Sequence, residues 1–526
     1  MKKTTNLLKI FFNLFIRLIF FLSFCSVSLA DSSNSITESF SSDINFCRLL
    51  PNSNNVTSNI SVIQIEIINE KKFARNLLDA SVFARKMKGV LGDQFKRWFD
   101  GKLFFEGVDK RICDYDIKIR LTGDYFDHVN FNFKNGLSKS GWSFSSFVKV
   151  KKGTIGGLTE FKIFRPSTRH GDNEILGHTL ASMLGFIAPD TSALNINILK
   201  LSQKYLIQES INQKFIENNI ASPSPLLEGD ERLKMLWYKQ SEWINEGADG
   251  SESGNFSFPY DIRYSLGRLT NAKWAIKNKT NFKNSIDALD QLNQAYIEFL
   301  ERTKTTRSLG YYPRLDFNIL AGHNNKSLLL WREYEAFLDM VSVGHAMIPS
   351  NQQFYYDSSL ESIMPILYDS MIIIQDDFSH ENYNLERFSV DSIIGSRTLI
   401  NKVKEISPKA LWQKLEERNA EFSLIQVEAI LERIINNLSV ISNLSIKESK
   451  QKKIISNYAF FGNYPDKYNK NKRLVYSDNS ELYIECEPLR TNCQLIKLKN
   501  KELVKLLSGR LFKGGNYYIY IGKWEN

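Results

Sequence analysis

The segment NQQFYYDSSLESIMPILYD, residues 351–369, contains the pattern from which we infer the fold and function of this chain. Two β-rich runs within it, Gln352–Asp357 and Ile363–Tyr368, predict a hairpin. Asn351 and Asp369 are eighteen residues apart and flank these runs, so a hairpin could bring both side chains to one end. Amide and carboxylate oxygens are the donors that divalent cations such as Mg2+ take in proteins. We therefore predict that Asp369 and Asn351 bind a metal, with turn capping as the alternative role for each.

Alternating strand and helix signals precede this hairpin along the chain. Strands are expected in VIQIEIIN, in DYDIKIRLTG and at Phe161–Phe164, and a helix-prone stretch runs from Lys71 to about Gly89. Another helix is expected from about Asn173 to Leu184, with Asp172 as its candidate N-cap. SALNINILK and QKYLIQES predict a further strand pair.

Several of these segments, taken in order, resemble one known family, the CotH-type kinases of the spore-coat protein H family. NQQFYYD followed by PILYD is similar to the family's Asn-x-x-x-Tyr strand and Pro-Ile-x-x-Asp metal loop, and RLTGDYFDH is similar to its Arg-Leu-x-Gly-Asp segment. The resemblance runs from about Ile117 to Asp369. It implies an α+β chain with an atypical protein-kinase-like two-lobed core. Beyond the resemblance, the hydrophobic periodicity of the later residues predicts a helical segment and then a small β-rich C-terminal domain. Ordinary HRD and DFG motifs are absent from the sequence, and the resemblance does not predict them.

The resemblance also implies Mg2+ and ATP as cofactors, with cationic side chains for the phosphates. Lys162 lies on the predicted strand in FKIFR, where alternation puts it on the face opposite its apolar neighbours. Arg165 and Arg169 follow in the turn. Glu174, early in the next helix, could form a kinase-type ion pair with Lys162. A surface lysine and a helix-start glutamate would give the same pattern.

One departure from the family pattern concerns the catalytic base. The family's active members resemble Asp-x-x-x-x-Asn at the metal-ligand asparagine, whereas this chain has Ala346 five residues before Asn351. The neighbouring His345 could accept a hydroxyl proton near pH 7, and we take it as the candidate catalytic residue. A core histidine at a helix end is the alternative.

The expected organisation follows from composition and from the resemblance. With 526 residues and 43% hydrophobic content, the chain is too long for one ordinary domain. The expected units are a signal peptide at 1–30, a Ser/Asn-rich linker at 31–60, a CotH-like core at 61–380 with an insertion near 221–310, a helical region at 381–455 and a β-rich C-terminal domain at 456–526.

The first thirty residues have the features of an export signal. A basic start is followed by an apolar stretch from Ile10 to Leu29 and by the small-x-small sequence ending at Ala30. We expect a mature N-terminus at Asp31 and an exported protein, periplasmic, cell-surface or secreted. Asn13 and Arg17 interrupt the apolar run, which leaves an uncleaved anchor open, and Cys25 leaves open a lipid attachment. No later segment is apolar enough to predict a membrane span.

The cysteines fit an oxidising compartment. Cys486 and Cys493 lie on two β-rich runs that flank EPLRTN, which predicts a disulfide across a hairpin. Cys47 and Cys113 could form a second bridge. A metal site is the weaker alternative, because no CxxC or HxxxH spacing accompanies these cysteines.

Charge and motifs together limit the function classes. The formal net charge is +10, but the basic residues alternate with acidic ones, so we predict no nucleic-acid partner. The leading hypothesis is an exported atypical kinase that transfers phosphate from a nucleotide to a protein or cell-envelope substrate. The alternative is a catalytically silent envelope protein that serves binding or assembly. A glycan-cleaving enzyme is disfavoured because the sequence shows no distinctive carboxylate pair.

Overall fold

The structure is a computed structural model of the 526-residue chain. It describes residues 62–86, 91–106, 112–132, 141–155, 157–199, 201–220, 222–229, 267–306, 314–341, 345–349, 351–378, 388–446, 473–476, 482–486 and 494–508. The predicted signal peptide, the linker, residues 230–266 of the predicted insertion and the predicted boundary of the C-terminal domain lie outside the described residues. Among the helices in these ranges, none is both long and apolar enough to cross a bilayer.

The N-terminal part of the described chain is built on a β-barrel. Seven strands close in the order β1-β2-β3-β6-β7-β9-β8, and β4 and β5 form a separate two-stranded sheet. Strand β1 is parallel to β8, and the other barrel pairs are antiparallel. The strands are β1 Val62–Ile67, β2 Phe99–Glu106, β3 Ile112–Leu121, β4 Val129–Asn132, β5 Gly141–Phe144, β6 Ser146–Val150, β7 Glu160–Phe164, β8 Thr191–Ile198 and β9 Leu201–Glu209.

The barrel interior is filled by alternate residues of its strands. In VIQIEI the three isoleucines are buried while Gln64 and Glu66 are exposed, which is the period-two pattern of a strand with one apolar face. Helix α1, Glu70–Lys86, adds Phe73 and Leu77 to the same apolar core. The barrel is therefore a packed core.

The predicted protein-kinase-like two-lobed core is wrong, because the sheet closes into this barrel. β1 pairs with β2 through Ile65↔Leu103 and also with β8 through Val62↔Asn195, so it joins the two edges of the sheet. The sequence pattern identified β1 and β8 as strands. Their pairing joins segments that lie far apart along the chain, and the alternation within each strand contains no information about it.

Helix α2 connects the barrel strands β7 and β8, and its apolar side chains pack into the core of the second part of the molecule. It spans Asp172–Met183, close to the predicted helix, but its N-cap is Gly171, with φ of 62°, and the predicted cap Asp172 is the first helical residue. The Asp172 carboxylate instead accepts a hydrogen bond from the backbone N–H of Glu421 at 2.9 Å. It also forms an ion pair with Lys204, whose Nζ lies 3.2 Å from Asp172 Oδ1. The start of α2 is thus held by a backbone N–H and a lysine side chain from outside the helix.

The predicted hairpin at 352–368 is confirmed and belongs to a four-stranded sheet of order β11-β10-β12-β13. Its strands are β10 Leu226–Gly229, β11 Gly267–Leu269, β12 Gln353–Asp357 and β13 Ser362–Ile366. The helices around this sheet are α3 Gln213–Ile220, α4 Ala272–Ala275, α5 Lys279–Thr306, α6 Phe317–Leu320 and α7 Asn325–Val341. Trp331 of α7 is fully buried here and donates from Nε1 to the carbonyl of Ile363 at 2.7 Å.

The predicted helical region continues the same apolar core. It contains α8 Val390–Lys404, α9 Pro408–Glu416 and α10 Leu424–Ser442. Pro408 occupies the first turn of α9 after the N-cap Ser407, where its missing N–H costs nothing. The chain then forms β14 Arg473–Tyr476, β15 Leu482–Cys486 and β16 Gln494–Lys497 in one antiparallel sheet, and α11 Asn500–Leu507.

Candidate functional site

The candidate site forms where the segment after β13 packs against β7 and α2. We call residues 368–372 the Asp369 turn. Asp369 and Met371 both have left-handed backbone angles, with φ of 47° and 49°. Such angles cost non-glycine residues about 1–3 kcal/mol each and persist only where the surroundings hold them. Here the flanking residues are held on both sides, because Leu367 N–H donates to Ile187 O at 2.8 Å and Ile373 N–H to Val341 O at 2.9 Å.

Lys162 faces this turn because of its position on β7. Phe161 and Ile163 point into the barrel core, so alternation places Lys162 on the outer face. Its Nζ donates to the hydroxyl of Tyr368 at 2.5 Å and lies 4.4 Å from the centroid of that ring. One cation is thereby fixed beside the residue that precedes Asp369.

Arg169 supplies a second cation at the Asp369 carboxylate. Its Nη1 lies 2.6 Å from Asp369 Oδ1, and the two side chains are only 8% and 17% exposed. The guanidinium carbon is 4.3 Å from the centroid of the Phe164 ring, a cation–π contact. Burial lowers the pKa of Arg169, but the surrounding acidic groups, Asp369 foremost and then Tyr368 and Glu174, together outweigh it, so this pKa is raised and Arg169 stays charged.

Glu174 contacts the turn from α2. Ser370 Oγ donates to its Oε2 at 3.3 Å, and the backbone N–H of Ile372 also donates to the carboxylate. Its Oε1 lies 3.3 Å from His178 Nε2, one helical turn further on. Burial raises the pKa of Glu174 to about 7; Arg169 opposes this rise and Asp369 adds to it. The ion pair implied between Glu174 and Lys162 is not made, since Lys162 contacts Tyr368 instead.

The RLTGDYFDH segment borders the same cluster. Asp124 pairs with Lys96 at 2.5 Å; burial raises the pKa of Asp124, but the charge and hydrogen bond of Lys96, with the charge of Lys162, outweigh burial and lower it. His128 is buried, which together with Arg169 lowers its pKa to about 4, so the imidazole is neutral. This segment therefore places a carboxylate and a neutral histidine beside the two cations.

The other predicted site residues lie in three places. Gln353 pairs with Ile366, so Asn351 and Asp369 lie beyond the same end of the hairpin, as expected. Arg165 is turned to the β4–β5 sheet, where its Nε donates to Ser143 Oγ at 3.0 Å and its Nη1 donates to the Asp127 carbonyl. His345 begins a short 3-10 helix, His345–Met347; its side chain lies outside the described residues.

Sequence reasoning missed several members of the cluster. Tyr368 lies in PILYD and Asp124 in RLTGDYFDH, but no sequence pattern assigned either residue a role in the site. His178 is four residues after Glu174, and that spacing places both on one face of the predicted helix. The spacing could therefore have indicated a contact between the two residues. Lys96 had no comparable signal, because its contact with Asp124 joins two distant segments.

The donor set decides which cation this site could hold. Among the described residues, no group of three or more His, Cys, Asp or Glu side chains is arranged to hold a metal. The described residues therefore do not support a metal site formed by protein ligands alone. Mg2+ commonly takes one or two carboxylates and completes its shell with substrate phosphates and water. Asp369 and Asn351, beyond the same end of the hairpin, offer a carboxylate and an amide oxygen, which are donors of the types that such a cation takes.

No protein-family model matches this chain. No curated protein matches it either.

Proposed function

We propose that this chain is an exported CotH-like phosphotransferase that binds ATP with Mg2+ at the Asp369 turn and transfers phosphate to a protein or cell-envelope substrate. The observation that supports this proposal is the convergence of Lys162 and Arg169 on Tyr368 and Asp369. Two fixed cations beside a carboxylate are what a phosphate group with its cation requires.

Each residue has a distinct role in this proposal. Lys162 and Arg169 donate hydrogen bonds to phosphate oxygens, and burial, nearly complete for Arg169 and partial for Lys162, strengthens those bonds. Asp369 and Asn351 hold Mg2+. When bound, the cation would neutralise the negative charge that develops on the transferred phosphoryl group.

His345 is the proposed proton acceptor. Ala346 cannot take a proton, so the neighbouring imidazole is the group that could accept one from the attacking hydroxyl. His345→Ala should then lower turnover and leave nucleotide affinity unchanged. Equal turnover in this variant would exclude His345 as the base.

The experiment is calorimetric titration with Mg-ATP, followed by transfer of labelled phosphate to envelope extracts. Lys162→Met should weaken Mg-ATP binding about tenfold or more, the value of one hydrogen bond to a charged group. The matched control is Lys102→Met. Lys102 also lies on a barrel strand, but its ion pair with Asp114 is exposed, with 3.5 Å between Nζ and Oδ2. Equal effects of the two substitutions would contradict the proposal.

A catalytically silent envelope protein is the second candidate, and two observations favour it. Arg169 already neutralises the carboxylate that a cation needs, and Ala346 stands where the acid is expected. Such a protein serves binding or assembly. It should give no heat with any nucleotide, with or without Mg2+.

A further inference from the structure

Glu174 is placed to hold the Asp369 turn. Its carboxylate is fully buried, and Ser370 and Ile372, which donate to it, lie directly after Asp369 and Met371, the two left-handed residues. The carboxylate thus accepts hydrogen bonds from the part of the turn whose backbone is unfavourable. A turn of this kind needs such partners to persist.

Helix α2 and the turn are also in close steric contact. A Cβ atom added at Gly177 would overlap Cγ1 and Cδ1 of Ile372, whose side chain is fully buried. The missing side chain at position 177 lets α2 approach close enough for Glu174 to reach the turn. Only glycine permits this approach without displacing Ile372.

His178 connects Glu174 to the barrel. Its Nδ1 lies 2.8 Å from Thr191 Oγ1, and Thr191 at the start of β8 donates to the carbonyl of Pro189 at 3.2 Å. With that hydroxyl proton directed at Pro189, the His178 proton resides on Nδ1 and Nε2 is left as an acceptor. Glu174 Oε1 lies 3.3 Å from Nε2, and among the described residues neither atom has a hydrogen-bond partner, so a proton on Oε1 would be the donor that this acceptor lacks. The raised pKa of Glu174 agrees with this arrangement.

We propose that Glu174 and His178 are positioning residues that fix the Asp369 turn on the barrel, so that Asp369 faces Arg169 and the proposed cation. The resemblance implied that Glu174 binds Lys162; the contacts assign it to the turn instead. The structural part of this proposal stands on those contacts, and its consequence for cation binding rests on the proposed function.

Amide hydrogen exchange tests the structural part. Glu174→Ala should make exchange at residues 370–372 about tenfold faster, the effect of one lost hydrogen bond, and Glu174→Gln should stay within about threefold because its amide oxygen still accepts. The matched control is Glu335→Ala on α7, another buried glutamate, which pairs with Arg314 at 3.0 Å. It should leave exchange at the turn unchanged.

Ser370→Ala and His178→Gln are milder companions in case Glu174→Ala does not fold. Each removes one member of the chain of contacts, and each should accelerate exchange at the turn. Unchanged exchange in all of these variants would overturn the proposal, and so would equal acceleration by Glu335→Ala.

Titration with ATP in the presence and absence of Mg2+ tests the consequence. Glu174→Ala should weaken Mg-dependent ATP binding about tenfold and leave metal-free ATP binding within about twofold, with rescue by Glu174→Gln. Equal losses with and without Mg2+ would contradict a positioning role. A wild type that binds no nucleotide refutes the proposed function, and the exchange comparison then decides the structural part alone.

Discussion

Arg169 and Asp369 form a buried ion pair whose removal should be costly. The two atoms are 2.6 Å apart, and the side chains are 8% and 17% exposed. Removing one partner of a buried pair costs about 3–5 kcal/mol, because the remaining charge is left in a poorly solvated place. The partial exposure of Asp369 places Asp369→Asn at the low end, about 3 kcal/mol, and Arg169→Met should cost a similar amount.

The double variant separates the ion pair from other effects. With both charges replaced, the loss should be about 3 kcal/mol smaller than the sum of the single losses, which is a large coupling for contacting residues. The exposed pair Lys102–Asp114, at 3.5 Å, is the matched control and should show a coupling below about 1 kcal/mol.

Urea unfolding followed by both fluorescence and circular dichroism measures these free energies. The experiment belongs at pH 6, because Glu174, with a pKa of about 7, is then mostly protonated and cannot replace Asp369 beside Arg169. Coincident transitions from the two signals are required for the comparison. An Asp369→Asn protein within 0.5 kcal/mol (about the error of such a comparison) of the wild type would refute the reasoning.

Three further predictions follow from the site and the sequence. Gly177→Ala should lower the unfolding temperature, because overpacking against Ile372 costs about 1–3 kcal/mol and the gain in helix propensity is only about 1 kcal/mol; an unchanged temperature would exclude the close contact. The pKa of Glu174 is raised from 4.5 to about 7 in the folded protein, so the folded state keeps this proton at pH values where the unfolded state has lost it. The free energy of unfolding should therefore be highest below pH 4.5 and should fall by on the order of 3 kcal/mol as the pH rises through about 7. Glu174→Gln should remove that loss when unfolding free energies at pH 4.5 and 8 are compared, and equal pH dependences would refute this. Non-reducing peptide mapping should recover Cys486 linked to Cys493, and free thiols at both positions would disprove that bridge.

The elements of the site could be predicted because their signals are local. The alternation in FKIFR predicted that Lys162 lies on the strand face opposite Phe161 and Ile163, and the two β-rich runs at 352–368 predicted the hairpin beside Asp369. Both inferences use neighbours within a few residues. Local periodicity is therefore sufficient to place these side chains on a face or at an end.

The partners of these residues could not be predicted in the same way. Lys162 meets Tyr368, and Arg169 meets Asp369, across about two hundred residues of sequence. Nothing in a local pattern distinguishes a lysine that binds Glu174 from one that binds Tyr368. The closure of the barrel by β1 is of the same kind, since it depends on pairing with a distant strand.

Calorimetric titration of the wild-type protein with ATP, once with Mg2+ and once with EDTA, is the decisive measurement. If Lys162, Arg169 and Asp369 form a site for a nucleotide phosphate and its cation, ATP should bind saturably at one site. Its affinity should be about tenfold or more higher with Mg2+, because Asp369 then gains a cation shared with the phosphates. No heat with ATP, or the same affinity in Mg2+ and in EDTA, would contradict this account.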